Sequence, residues 1–300
     1  MHHGGLAARL LTRSVAFGEA KRPARGTIES RFVPSVFFSS ATAMRFDVIT
    51  LFPELFAPFL VSGVTRRAYE SGLVEVKLWN PRDFADGNYR RVDDRPFGGG
   101  PGMVMLAEPL FLCLEKIKAD RLEDTAVPVV LFSPVGQTLN HRAVENWSAS
   151  TGAVLVCGRY EGIDQRFITT YVDHQISLGD FVLSGGEIAA MALLDAVARL
   201  QPGVLNDQGS HQFDSFNPAL DGLLDCPHYT RPEAWQGQAV PETLLSGNHA
   251  HIERWRRDQR LALTQRLRPE LVQAARTAGG LSAGDESYLS DLQVNSDQDA

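Results

Sequence analysis

Short apolar runs alternate with helical patterns along residues 46–200, and this alternation limits the folds that the chain can adopt. Residues 127–132 and 153–157 are continuously apolar, as is typical of strands that are covered on both faces. Two further strands are predicted at 46–51 and 73–78. Helical patterns occur at 107–118, 140–148 and 187–200. Strands that alternate with helices predict an α/β fold with a largely parallel sheet.

Length and charge constrain the domain organisation and the partners. With 300 residues the chain exceeds one average domain, so we expect one large core and a smaller appended unit. The formal net charge of −7 argues against a surface that is basic all over. Local basic patches remain compatible with it, because nucleic-acid binding depends on how charges cluster.

The cysteines and the apolar runs bear on the cellular compartment. Cys113, Cys157 and Cys226 are far apart and show no Cys-x-x-Cys spacing, so the sequence suggests neither a metal site nor a disulfide framework. Isolated thiols fit a reducing compartment. No apolar run approaches the ~20 residues that span a bilayer. We therefore expect a cytoplasmic protein that does not contact a membrane.

The first 43 residues differ in composition from the rest. They are rich in Arg, contain Ser and carry only two acidic residues, a composition typical of an organellar transit peptide. The alternative is an upstream start codon, with Met44 as the natural first residue. We favour this alternative because Met44 immediately precedes the first predicted strand.

A glycine-rich loop covers residues 93–103. Glycines in series let backbone N–H groups converge on an anion, or let a ligand approach the backbone closely. No Gly-Lys-Ser/Thr follows, so the loop is not a P-loop. On these residues alone, a Gly/Pro-rich turn without a ligand is the better explanation.

Two further loops follow predicted strands or precede a helix. Residues 157–162 directly follow an apolar strand, where open α/β sheets bind ligands, but a tight turn explains them equally well. Ser184 and Glu187 have the spacing of a capping box and predict a helix start. The two glycines between them are costly in a first helical turn, and a ligand against that backbone would account for them.

Arg199, Asp214 and His228 are candidate functional residues that also have structural explanations. Arg199 ends a predicted helix, where the macrodipole favours a cation and Asp195 is available as an ion-pair partner. Asp214 lies in a polar loop but between two phenylalanines, which is unusual for a purely solvated loop. A lone histidine such as His228 is more often structural than catalytic.

Five segments in order identify a family where each segment alone does not. They are RPFGGGPGM, CGRYEGID, GDFVLSGGE, DSF and GLLDCPHYTRP, and LLSGNH before a basic helix adds to them. This series resembles the bacterial tRNA (guanine-N1)-methyltransferase family, a branch of the knotted SPOUT methyltransferases. The resemblance covers Arg45 to about Leu271.

The resemblance implies a fold and a cofactor. Part of the α/β sheet domain would form a trefoil knot, a rare exception to normal topology that no periodicity could reveal. S-adenosylmethionine would bind in the knot loops. The positions that match the family's cofactor residues are Ser133, Pro134, Gly158, Tyr160, Glu161, Leu178, Gly179, Phe181, Leu183, Gly185 and Gly186. Many relatives have Tyr in place of Phe181, so a contact through that hydroxyl is absent here.

The resemblance also assigns roles in catalysis and RNA binding. Asp214 matches the general base that removes the proton from guanine N1, and Arg199 matches the arginine that stabilises negative charge on O6. The tRNA would carry a guanosine 3′ of the anticodon, at position 37. It would contact both chains of a homodimer with active sites at the interface, and a Mg²⁺ requirement would fit the family. The matching tRNA-binding residues are Gly99, Gly100, Pro101, Gly102, Asp225, His228 and Arg254, the last on a helix with further arginines.

These implications divide the chain into five parts. They are an N-terminal extension (1–43), a knotted methyltransferase domain (44–203), a linker or lid (204–216), a helical tRNA-binding domain (217–278) and a disordered acidic tail (279–300). A nucleotide hydrolase is disfavoured because the Lys and hydroxyl that hold phosphate and magnesium are missing. A non-catalytic RNA-binding module would be expected to lose Asp214 and Arg199. A SPOUT-type enzyme that acts on another RNA remains the alternative.

Overall fold

The computed structural model describes residues 44–121, 127–206 and 209–298. The N-terminal extension, and with it both interpretations of residues 1–43, lies outside the described residues. Within the described ranges, no helix is both long enough and apolar enough to cross a bilayer.

A five-stranded parallel sheet with the order β2-β1-β6-β5-β7 forms the centre of the fold. Two short antiparallel pairs, β3-β4 and β8-β9, lie outside it. The strands are β1 (Met44–Ile49), β2 (Val74–Trp79), β3 (Asp93–Asp94), β4 (Val104–Met105), β5 (Val129–Thr138), β6 (Gly152–Val156), β7 (His174–Ser177), β8 (Ala234–Trp235) and β9 (Gln238–Ala239).

The helices lie between these strands and beyond them. They are α1 (Phe56–Leu60), α2 (Arg66–Glu70), α3 (Ala107–Asp120), α4 (His141–Ser148), α5 (Gln165–Tyr171), α6 (Glu187–Arg199), α7 (Glu242–Leu245), α8 (His249–Leu267), α9 (Pro269–Thr277) and α10 (Ala283–Gln298). The predicted α/β fold with a largely parallel sheet is confirmed, while the trefoil knot stays a prediction.

Two apolar clusters cover the two faces of the sheet. One includes Phe46, Leu155 and the inner face of α6, and the other includes Ile49, Val156 and α3. Alternate residues of β1 and β6 therefore point to opposite clusters, which explains why these strands read as continuous apolar runs. The sequence also predicts that α6 is buried on all sides, but Ile188 on its first turn is 54% exposed.

Residues 217–298 contain a third, smaller apolar cluster. The disorder expected for residues 279–300 is not observed, because residues 283–298 form α10. Leu289 of α10 is buried in the third cluster, and the side chains and backbone N–H groups of Ser282 and Asp285 cap the helix reciprocally. The acidic composition does not lead to disorder here, because Asp285 forms ion pairs with Arg254 and Arg257 of α8.

Candidate active site

A cavity of about 290 Å³ lies at the carboxyl ends of the central strands. Residues from three loops line it: 133–134 within β5, 158–163 after β6, and 177–186 after β7. All but one of the predicted cofactor-binding residues line this cavity, the exception being Gly179. Those that line it are Ser133, Pro134, Gly158, Tyr160, Glu161, Leu178, Phe181, Leu183, Gly185 and Gly186.

An irregularity in β5 brings its loop to the cavity. Phe132 and Gln137 both pair with Ile176 of β7, so the four residues between them leave the ladder. A sheet of regular pairing would point Ser133 and Pro134 to opposite faces. Released from the ladder, both line the cavity.

A buried ion pair joins two of the three loops. The carboxylate of Glu187, 1% exposed, lies 3.0 Å from Nε of Arg159 and accepts a hydrogen bond of 2.9 Å from the Thr50 hydroxyl. Nη1 of Arg159 donates to the backbone oxygen of Ser184 at 3.2 Å. The capping-box prediction is therefore wrong: Gly186 is the N-cap of α6, and no side chain caps it.

The chain itself explains the two glycines before α6. A Cβ on Gly186 would lie 2.8 Å from Cα of Cys157, and a Cβ on Gly185 would lie 2.3 Å from Nε of Arg159. These approaches bring the start of α6 against the end of β6 and close the floor of the cavity. A ligand is thus not needed to account for the glycines, although both face the cavity.

The glycine-rich loop adjoins the cavity. The backbone N–H of Glu161 donates to the oxygen of Met103 at 3.0 Å, and a Cβ on Gly102 would lie 2.3 Å from Oε1 of Glu161. Gly98, Gly99, Gly100 and Gly102 all have positive φ, which favours glycine. The glycine-rich loop with its predicted tRNA-binding residues is therefore in direct contact with the loop after β6, which carries predicted cofactor-binding residues.

Tyr160 has an unusual backbone conformation at the same junction. Its φ of +59° is left-handed, which is uncommon for a residue with a bulky side chain. Burial raises the pKa of its phenol, with the nearby Asp93 carboxylate adding to the effect. The phenol therefore stays neutral, as a hydrogen-bonding group rather than a base, at physiological pH.

Arg199 and Asp214 form an ion pair. Nη1 of Arg199 lies 2.5 Å from Oδ2 of Asp214, and each side chain is about one-third exposed. The expected partner Asp195 instead accepts a hydrogen bond of 2.9 Å from Thr65. The two residues assigned to catalysis, 15 positions apart in sequence, are thus in contact and accessible to solvent.

The Arg199–Asp214 pair lies at the far end of α6 from the cavity. Gly186 at the start of α6 lines the cavity, and Arg199 is the last residue of the helix. At 1.5 Å per residue, this 13-residue helix separates the two by ~20 Å.

Residues 214–216 are attached to the C-terminal helices. The N–H of Asp225 donates to Oγ of Ser215 at 2.9 Å, and the carboxylate of Asp225 lies 2.9 Å from Nε2 of His228 and 3.3 Å from Nε of Arg260. Burial alone would raise the pKa of Asp225, but hydrogen bonds from the Cys226 backbone, His228 and Arg260 lower it overall. The segment that bears Asp214 is therefore tied to two of the predicted tRNA-binding residues.

Four of the five arginines of α8 have acidic partners within the chain. Arg254 lies 2.5 Å from Asp258 and 3.1 Å from Asp285, both through its guanidinium nitrogens. The neighbouring arginines also have acidic partners, namely Glu253 for Arg256, Asp221 and Asp285 for Arg257, and Asp225 for Arg260. Arg254 stays a predicted tRNA-binding residue, but it and these three neighbours already have acidic partners within the chain.

No group of three or more His, Cys, Asp or Glu side chains is placed to hold a metal ion in the part of the chain that the structure describes. The roles of Thr50 and Arg159 in the site were missed by sequence reasoning. Their partner Glu187 is 137 and 28 residues away, and no local pattern connects them.

Comparisons with known proteins agree with this geometry. The sequence profile of the family described as tRNA (Guanine-1)-methyltransferase TrmD matches residues 44–274. A protein of Polaromonas sp. (strain JS666 / ATCC BAA-500) named tRNA (guanine-N(1)-)-methyltransferase is 80% identical over 259 residues, which are 86% of this chain and 100% of the relative.

Relatives from other organisms carry the same name. The protein of Paracidovorax citrulli (strain AAC00-1) is 74% identical over 83% of this chain and 98% of its own length. That of Albidiferax ferrireducens (strain ATCC BAA-621 / DSM 15236 / T118) is 75% identical over 82% and 98%, respectively. With a family profile over most of its length and relatives this similar from end to end, the chain belongs to the bacterial tRNA (guanine-N1)-methyltransferase family.

Proposed function

We propose that this protein transfers a methyl group from S-adenosylmethionine to N1 of the guanosine at tRNA position 37, 3′ of the anticodon, in the cytoplasm. The observation that carries the proposal is the contact between Arg199 and Asp214, the two residues with predicted catalytic roles. The cavity that brings together the predicted cofactor residues and the names of the relatives support it.

The residues of the cavity fit the proposed cofactor. Apolar side chains such as Leu131, Ile163 and Ile176 suit the faces of an adenine ring, and the carboxylate of Glu161 suits a sulfonium cation. When bound, S-adenosylmethionine supplies an electrophilic methyl group. A Mg²⁺ requirement is part of the proposal only as an expectation from the family.

The Arg199–Asp214 pair fits the edge of guanine that must react. N1 and O6 are adjacent on this edge, so a carboxylate and a guanidinium that lie side by side can face both atoms. Asp214 would remove the proton from N1, an effect typically worth about 10²–10⁴-fold in rate. Arg199 would stabilise the negative charge that develops on O6 as the proton leaves.

We infer that two copies of the chain complete the site. The methyl carbon, N1 and the base must lie within roughly 7 Å of one another, but Arg199 is ~20 Å along α6 from the cavity of its own chain. We propose a homodimer in which the cavity of one subunit faces Asp214 of the partner subunit. Apolar side chains exposed near the cavity, including Phe181, Val182 and Ile188, supply a surface for this association.

Transfer of labelled methyl to an unmodified tRNA transcript tests the activity. We expect N1-methylguanosine at position 37 as the product. Asp214→Asn should lower kcat by about 10²–10⁴-fold and leave the affinity for S-adenosylmethionine within twofold. Asp195→Asn is the matched control and should retain activity, because among the described residues Asp195 bonds only to Thr65. Product on another RNA, with none on tRNA, would favour the alternative substrate.

Mixing two inactive variants tests the shared site. Gly158→Val should obstruct the cavity, and its Cβ meets Ile163 at an ordinary 3.6 Å. Random dimers of Gly158→Val and Asp214→Asn chains would regain one working site in half of the molecules, about a quarter of normal activity. A mixture that stays inactive, with mixed dimers shown to form, would place the whole site within one chain.

A further inference from the structure

Two arginines of the C-terminal unit differ from the rest in having no acidic partner. Six of the eight arginines in residues 217–298 form ion pairs, and they are Arg254, Arg256, Arg257, Arg260, Arg268 and Arg276. Arg231 and Arg266 are exposed and form no ion pair or hydrogen bond with any described residue. Their charge is therefore available to an external anion.

Both unpaired arginines line the same surface. A cavity of about 460 Å³ includes Tyr229, Arg231 and Trp255, and a neighbouring cavity of about 510 Å³ includes Leu263 and Arg266. The two cavities share Pro227. We call the combined surface the α8 groove.

The α8 groove follows one face of its helix. Its α8 residues recur every three or four positions from Ile252 to Arg266. This spacing places them in one stripe, which is ~21 Å long at 1.5 Å per residue. The paired Arg257 lies on the opposite side of the helix, towards Asp221, and Arg260 is buried against Asp225.

An aromatic corner lies in the groove. The rings of Tyr229 and Trp255 are 6.2 Å apart at 61°, and Tyr229 is 49% exposed. Flat aromatic surfaces beside guanidinium groups are typical of sites that bind unpaired nucleotides, since bases stack on the rings and phosphates pair with the cations.

We propose that the α8 groove binds an unpaired stretch of the substrate tRNA, with one base against Tyr229 and Trp255 and phosphates at Arg231 and Arg266. The proposal rests on the proposed function, which supplies an RNA as the partner. It also moves the predicted phosphate contact away from Arg254, whose charge two carboxylates already neutralise. In a chain of net charge −7, unpaired arginines in a groove that also holds Tyr229 and Trp255 favour a polyanion over a second copy of the same chain.

The salt dependence of tRNA binding by the full chain tests the phosphate contacts. Each contact with an unpaired strand contributes about 0.7 to the slope of log affinity against log salt concentration. Arg231→Gln and Arg266→Gln should each lower the slope by about that amount. Arg276→Gln is the matched control, an exposed arginine paired with Glu286, and should leave the slope unchanged.

The aromatic contact has its own pair of variants. Tyr229→Leu should weaken tRNA binding by roughly five- to 150-fold, the range of base–aromatic stacking, and Tyr229→Phe should retain most of the affinity. Sedimentation should give the same mass for Tyr229→Leu as for the unaltered chain. A fall in mass would show that a second copy occupies the groove, and unchanged affinity of Tyr229→Leu would exclude base stacking there.

The phosphate proposal is overturned if both slopes stay unchanged, or if Arg254→Gln lowers the slope in their place. Failure of the proposed function would look different. In that case the unaltered chain would bind tRNA with the expected slopes but produce no N1-methylguanosine. Normal methylation with unchanged slopes would refute the groove alone.

Discussion

The buried Glu187–Arg159 pair offers a direct test of how the floor of the cavity is held. Glu187→Ala removes the carboxylate that Arg159 and Thr50 share. Breaking a buried ion pair by removing one partner costs about 3–5 kcal/mol, because the other charge is left without compensation. Arg159 keeps its contacts with Ser184 and the Phe52 ring and is 18% exposed, so we expect roughly 2–4 kcal/mol.

The partner variant and the double variant give the coupling between the two charges. Arg159→Met should also destabilise the protein, because it leaves a carboxylate that is 1% exposed without its cation. An apolar pair can replace a buried ion pair at little cost, so Glu187→Met/Arg159→Met should lose less than the two single losses combined. We expect a coupling free energy of at least ~1.5 kcal/mol.

Denaturant unfolding curves of the unaltered chain, the two single variants and the double variant measure these free energies of unfolding. Calorimetric titration measures the affinity of each protein for S-adenosylmethionine. Since Arg159 holds the Ser184 backbone, affinity should fall with either single substitution. Single losses that simply add would show that the charges act independently, and would refute the assignment of the pair as the support of the cavity floor.

Three further predictions concern packing, acid stability and thiol chemistry. Gly186→Ala should cost about 1–3 kcal/mol in thermal unfolding, because its Cβ would lie 2.8 Å from Cα of Cys157; a gain in stability would contradict that contact. Burial alone would raise the pKa of Asp285, but hydrogen bonds from a backbone N–H and from Arg257 lower it in the folded state. A depressed folded pKa gives stability that is complete above the unfolded value of about 3.9 and is lost as pH falls through the folded value. Unfolding of the C-terminal unit should therefore become easier below about pH 4, and Asp285→Asn should flatten this acid dependence. Burial raises the pKa of Cys113 to about 12 and keeps the thiol protonated, so iodoacetamide at pH 8 should modify it only after denaturation. Modification of Cys113 in the native protein, detected by mass spectrometry, would contradict this expectation.

The sequence predicted most of the sheet and few of the long-range contacts. Period and apolar runs located β1, β2, β6 and the start of β5 to within about two residues, because apolar strand faces leave a strong signal, but the run predicted for β5 stopped at Phe132, well before Thr138. They missed β7, which has only four residues and begins with an exposed histidine. The basic helix expected after LLSGNH is followed by a separate helix, because α8 ends before Arg268 and α9 begins at Pro269.

The sequence could suggest candidate site residues, but it could not reveal their partners. Family motifs named Arg199 and Asp214, while spacing along the helix suggested Asp195 as the partner of Arg199. Helical spacing reveals neighbours one turn apart, and the true partner comes from a loop that packs back on the helix end. The same holds for α10. Its acidic residues indicate a solvated segment, and only the fold reveals that Arg254 and Arg257 of α8 lie beside Asp285.

The contact between Gly102 and Glu161 has a thermodynamic consequence. The two loops share backbone hydrogen bonds on either side of that contact, from Glu161 to Met103 and from Met105 to Gly162. A ligand that orders one loop therefore restricts the other. If the proposed methyl donor binds the loop that contains Glu161 and the proposed RNA binds the loop that contains Gly102, linkage makes this effect reciprocal, so that each ligand changes the affinity for the other by the same factor. A side chain no larger than a methyl group at position 102 would be enough to alter that factor.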